Sequence, residues 1–110
     1  MKKPVIKIAT PEQIKQWKAQ YGQLTLIKIP VGNGETAEFI ARLPNKNEMQ
    51  ALASKEDTTS YNELMFNIML LAGDRKYIDD TPDFVPAVYL GLVKELGKLY
   101  TPPESASISL

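Results

Sequence analysis

Apolar residues along the chain recur at two different spacings, and the changes of spacing divide it into elements. Between Ser60 and Asp74, Leu64, Met65, Ile68, Met69, Leu71 and Ala72 return every three or four residues, and Tyr61 and Phe66 widen the stripe. That period predicts a helix too apolar to face water on any broad side. Ser60 and Glu63 form a capping box for its start, and Gly73 supplies a left-handed stop. An earlier helix opens at Thr10-Pro11-Glu12-Gln13, carries Ile14, Trp17 and Tyr21 on one face, and ends at Gly22. Trp17, at helical spacing, reads as a core anchor. A last helix starts at Thr81-Pro82-Asp83 or at Pro86 and runs to Gly97 or Tyr100. Its stripe of Phe84, Val85, Val88, Leu92, Val93, Leu96 and Leu99 is the natural mate for the central helix.

Leu24–Val31 and Thr36–Leu43 read instead as strands, joined by Asn33-Gly34, a dipeptide that favours the type I′ hairpin turn. A two-residue loop there sets the register. Leu24, Leu26, Phe39, Ala41 and Leu43 then share one face with Lys28, while Ile27, Ile29, Val31 and Ile40 share the other with Glu38 and Arg42. Both faces carry apolar side chains, so the second face or a free edge is expected to meet another chain. Pro44 stops the ribbon, and Asn45-Lys46-Asn47-Glu48 caps a short helix with Met49, Leu52 and Ala53 inside. Lys55 to Thr59 is a polar connection. The expected fold class is α+β: an N-terminal helix, an antiparallel β-hairpin with residues 4–9 as a candidate third strand, then three helices packed on it. Residues 1–9 read as an arm or edge strand, 10–100 as a single domain, and the Pro- and Ser-containing 101–110 as a flexible tail.

Composition narrows the chemistry. A chain of 110 residues with 44% hydrophobic and 24% charged side chains builds one core. Thirteen basic and thirteen acidic residues cancel, which removes the cationic surplus that draws nucleic acid or an anionic membrane. There is no cysteine, hence no disulfide or zinc–thiolate site, and no histidine, the usual base at neutral pH. No apolar run is long enough to span a bilayer, and MKKPVIKIAT lacks a signal-like apolar core, so a cytoplasmic location is expected. Thr10, Asn45 and Ser60 are engaged at helix starts, and Glu12, Glu48 and Glu63 sit in or near first turns, where negative charge suits the helix dipole. Gly32-Asn33-Gly34 is a turn without the spacing or lysine of a phosphate loop. The acidic stretch Asp74–Asp80 lacks the alternating ligands and central glycine of a calcium loop. The expectation is a protein that is not an enzyme, with no catalytic, cofactor or metal site. Its expected contact surface is Met65, Phe66 and Met69 with the second ribbon face, Ile27, Ile29 and Ile40. These are soft apolar side chains suited to a helical protein partner.

The order of the pieces resembles a family of small phage and prophage proteins, the tail assembly chaperones and their relatives. The likeness rests on PEQIKQWKAQYG leading into a hairpin, on the FIARLPNKNEMQAL junction, on MFNIMLLAGDRKYI, and on TPDFVPAVYLGLVKELG, together roughly residues 10–98. The resemblance implies a cytoplasmic, non-catalytic binding protein that shields a long helical tape measure protein during tail assembly. It also implies that a mobile tail would suit a frameshifted extension. It specifies no catalytic residues. The alternative is a structural or adaptor subunit of a phage particle that associates with itself through the hairpin.

Overall fold

The computed structural model describes residues 7–101 and 106–110. Helix α1 (Pro11–Tyr21) leads into strands β1 (Leu24–Gly32) and β2 (Glu35–Arg42), followed by helices α2 (Lys46–Ala53) and α3 (Thr58–Met69). Strand β3 (Leu70–Gly73), a 3-10 turn at Arg75–Tyr77 and helix α4 (Pro86–Tyr100) complete the order. The fold class is α+β, with a three-stranded antiparallel sheet in the order β1-β2-β3.

Two helix starts form as their sequences predict. The Thr10 N–H donates to Gln13 Oε1 at 2.9 Å and the Gln13 N–H to Thr10 Oγ1 at 3.1 Å. Asn45 and Glu48 exchange the same pair at 2.9 and 2.8 Å. The start of α3 differs. Its N-cap is Asp57, whose carboxylate accepts the Ser60 N–H at 2.8 Å, so Ser60 lies inside the helix. A charged acceptor at a helix N-terminus satisfies an orphan donor and suits the dipole, which favours Asp57 over Ser60. Of the two possible starts of the last helix, Pro86 is the one used.

The end of α3 differs more. Leu70 to Gly73 leave the helix with no intervening loop and pair with β2 as Ala41↔Leu70, Ile40↔Ala72 and Phe39↔Gly73. These residues supply the third strand of the sheet, the place expected for residues 4–9. Residues 4–6 lie outside the described residues, and residues 7–9 form a bend. Leu and Ala are good helix formers, so local preference alone favours continuing α3. The strand is held by the ladder and by Asp74, whose N–H donates to Glu38 O at 3.0 Å while its Oδ2 accepts the Glu38 N–H at 2.9 Å. Gly73 is the close-approach point: a methyl group there would overlap Cδ1 of Phe39 and lie 3.1 Å from Glu38 O.

The hairpin turn is at Asn33-Gly34, with φ of 54° and 79°, but the register is not that of a simple two-residue loop. Pro30 pairs with Thr36 and Gly32 with Glu35, leaving Val31 as a bulge. The one-residue shift exchanges the faces of one strand relative to the other. Ile27 now opposes Phe39 and Ile29 opposes Ala37, on the side where α4 crosses; a Cβ at Gly91 would sit 3.4 Å from Ile29 Cγ2. With Leu52, Met65, Phe66, Met69, Ile78, Val88, Leu92 and Leu96 they make one core. Leu24, Leu26 and Ile40 fall on the opposite side with Lys28, Glu38 and Arg42. Helix α1 lies on that side, since the Arg42 guanidinium stands 4.6 Å above the Tyr21 ring. No residue of α1 is buried, and Trp17 is half-buried rather than the core anchor expected. Among the described residues, no helix is long and apolar enough to cross a membrane.

Candidate functional site

The six residues expected to form a contact surface are all buried in the folded chain. Ile27, Ile29, Met65, Phe66 and Met69 belong to the core, and Ile40 is covered on the other side of the sheet. The Phe66 ring meets Tyr89 edge to face at 5.2 Å, and the Tyr100 hydroxyl, 2.6 Å from that of Tyr61, donates to Met65 Sδ at 3.3 Å. Burial of that hydroxyl raises the Tyr100 pKa above its usual value, with the Tyr61 hydrogen bond acting in the same sense. These side chains hold the fold together.

The exposed large apolar side chains include Tyr21 (36%), Leu43 (45%) and Met49 (38%). Tyr21 and Leu43 come together where the end of α1, the end of β2 and the start of α2 meet. Tyr21 and Leu43 line a cleft of about 550 Å³ with Gln20, Arg42, Pro44, Asn45 and Glu48, and Met49 is the next residue along α2. Each is placed for a local reason. Arg42 is the last residue of β2 and pairs with Leu24, the first of β1, so Leu43 has no cross-strand neighbour. Pro44 then ends the strand direction, and Asn45 caps α2.

The floor of the cleft is a charge clasp. Arg42 Nη1 and Nη2 donate to Glu48 Oε1 and Oε2, both at 2.7 Å, and Nη1 also reaches Leu43 O at 3.2 Å. Glu48 thus serves two elements at once, capping α2 and gripping the end of β2. The side chains are only 12% and 22% exposed. The fork geometry and partial burial make this stronger than an ordinary surface pair. The Arg42 guanidinium lowers the Glu48 pKa from 4.5 to about 2, helped by the Asn45 N–H, and Glu48 raises that of Arg42. A carboxylate titrating near 2 stays ionised at neutral pH.

The clasp has a pH signature. A carboxyl whose folded pKa is depressed contributes stability above its unfolded value and loses it as pH falls toward the folded value. Denaturant unfolding of the wild type and Glu48→Gln should therefore differ most at neutral pH, with the gap closing from about 4.5 down to about 2. A gap of constant size across that window would rule out the ion pair as its source.

Elsewhere the charged turn is engaged internally. Arg75 Nη2 and Nε meet Asp79 at 3.1 and 3.2 Å, and Asp74 is held by Glu38. Among the described residues, no three acidic side chains converge as a metal site.

The hydrophobic pattern does not mark Tyr21, Leu43 and Met49 as contact residues. Tyr21 and Met49 lie on helix faces that read as inward, and Leu43 reads as part of the hairpin. The usable signal is Arg42 followed by Leu-Pro and then a capping-box glutamate, a spacing that lets one carboxylate grip both elements. The chain matches no family model, no curated protein and no solved structure. The geometry of the cleft is thus the main guide to function.

Proposed function

We propose that the chain is a non-enzymatic protein-binding module that takes an apolar helical segment of a longer client against Tyr21, Leu43 and Met49. The observation that carries this reading is the exposure of Tyr21, Leu43 and Met49 beside an Arg42–Glu48 ion pair. An apolar helix face gains by burying such side chains, and Arg42 and Glu48 already meet each other, although the buried Arg42 Nε has no hydrogen-bond partner. In biological terms this is the role of a tail assembly chaperone, with a tape measure-like client, acting in the cytoplasm. The sequence resemblance supports that assignment, and the zero net charge is in keeping with a protein rather than a nucleic-acid partner.

The test is co-expression with a tape measure-like long helical protein, followed by tag pull-down. The client should be insoluble alone and recovered as a soluble complex with this chain. Leu43→Lys should weaken recovery about tenfold, the effect of losing ~1.4 kcal/mol of contact, while leaving the fold intact. A client that is soluble alone and not retained would refute the chaperone role. An effect of Leu43→Lys no larger than that of a remote surface lysine would remove the cleft as the contact.

A further inference from the structure

Among the described residues, two unpartnered features match, and each has the form of what the other lacks. The first is the outer edge of β1. The sheet order leaves it free, and it offers nine residues of extended backbone. Pro30 shows how the edge is oriented. Proline has no N–H to give and is tolerated in a sheet where its nitrogen faces away from the neighbouring strand. By the alternation of a strand, Lys28 and Leu26 present their N–H groups to the same free side.

The second feature is Ala106–Leu110. This segment has no regular secondary structure and Ile108 is 84% exposed, with Leu110 fully so. Its sequence, ASISL, alternates apolar and serine side chains with the period of a strand. Charge is complementary as well: residues 101–110 contain one acid, Glu104, and no base, while β1 contains one base, Lys28, and no acid. A strand laid on the edge with Ala106, Ile108 and Leu110 on the side of Leu24 and Leu26 would extend a row that α1 covers only in part.

We propose that Ala106–Leu110 of one copy pairs as a strand with the free edge of β1 in a second copy, reciprocally, to make a two-fold dimer. This does not depend on the client-binding reading, since it uses neither Leu43 nor Met49. Reciprocal exchange closes the assembly at two copies, whereas one-way exchange would run on into a filament. Affinity is modest, because each segment is short and must be ordered on binding.

The experiment is sedimentation velocity over a concentration series, with hydrogen exchange at both ends of the range, on the full chain. The wild type should shift from monomer toward dimer as concentration rises, and the Leu26 and Lys28 amides should become at least about tenfold slower to exchange. Ile108→Asp, at an exposed position, should abolish both effects without changing the unfolding midpoint. Lys28→Pro should do the same, because it removes an edge donor and leaves the β1–β2 ladder untouched. Should Lys28→Pro fail to fold, Ile108→Asp decides the matter alone. A wild type that stays monomeric throughout would overturn the proposal, as would association that persists in Ile108→Asp. Edge protection independent of concentration would overturn it too, by showing that the segment closes on its own chain.

Discussion

Gly73→Ala is expected to lower the stability of the chain by about 2–3 kcal/mol, read as a fall in the urea midpoint at unchanged slope. In most extended positions this exchange is benign, and Gly73 has no positive φ that would forbid alanine. The cost here is steric. The added methyl would overlap the Phe39 ring edge and approach Glu38 O at 3.1 Å, and Phe39 is fully buried with no room to retreat. Either the ring leaves its rotamer or β3 lifts from β2, and both disturb the Asp74–Glu38 hydrogen bonds. Combining Gly73→Ala with Phe39→Leu should recover part of the loss, because the smaller side chain vacates the contested space. A variant as stable as the wild type would mean that β3 does not dock on Phe39.

Phe66→Ala is expected to cost more, about 3–5 kcal/mol, the range for deleting a buried aromatic ring. Phe66 is fully buried, packs edge to face on Tyr89, and lies between the two longest helices. Domains of this size hold ~5–15 kcal/mol in total, so the variant would sit near the limit of folding. The measurement separates two roles for the central helix. A contact residue would lose client recovery at full stability, whereas Phe66→Ala should lose stability first. Leu43→Ala, at an exposed position, should change stability by less than about 0.5 kcal/mol. A Phe66→Ala protein with an unchanged midpoint would return that residue to the surface.

The parts of this fold that are legible in the sequence are those decided within a few residues. The Thr10–Gln13 and Asn45–Glu48 boxes and the Asn33-Gly34 turn each need only neighbours along the chain, and all three form. The misplaced parts are those decided by distant residues. Helical preference at Leu70–Ala72 yields to the ladder on β2 and to the fit of Gly73 under Phe39, both set by a strand much earlier in the chain. Val31 gives no local sign that it will bulge, yet that one residue moves Ile27 and Ile29 to the core side and leaves Ile40 opposite. The proposed contact surface is hidden for the same reason. Met65, Phe66 and Met69 look like adhesive surface until α4 and the sheet are seen to cover them. Tyr21 and Leu43 look ordinary until the cleft beside the Arg42–Glu48 clasp is seen to bring them together.

The absence of any loop between Met69 and Leu70 has a mechanical consequence. Helix and strand share a backbone joint, so they act as a crank and its arm. One residue added within α3 either turns β3 by about 100° around the helix axis or, if the helix end stays in place, reverses which side of the pleat each β3 residue occupies. Phe66 and Gly73 cannot be reseated independently under such a change. The segment from Thr58 to Gly73 should therefore accept substitutions far more readily than changes of length.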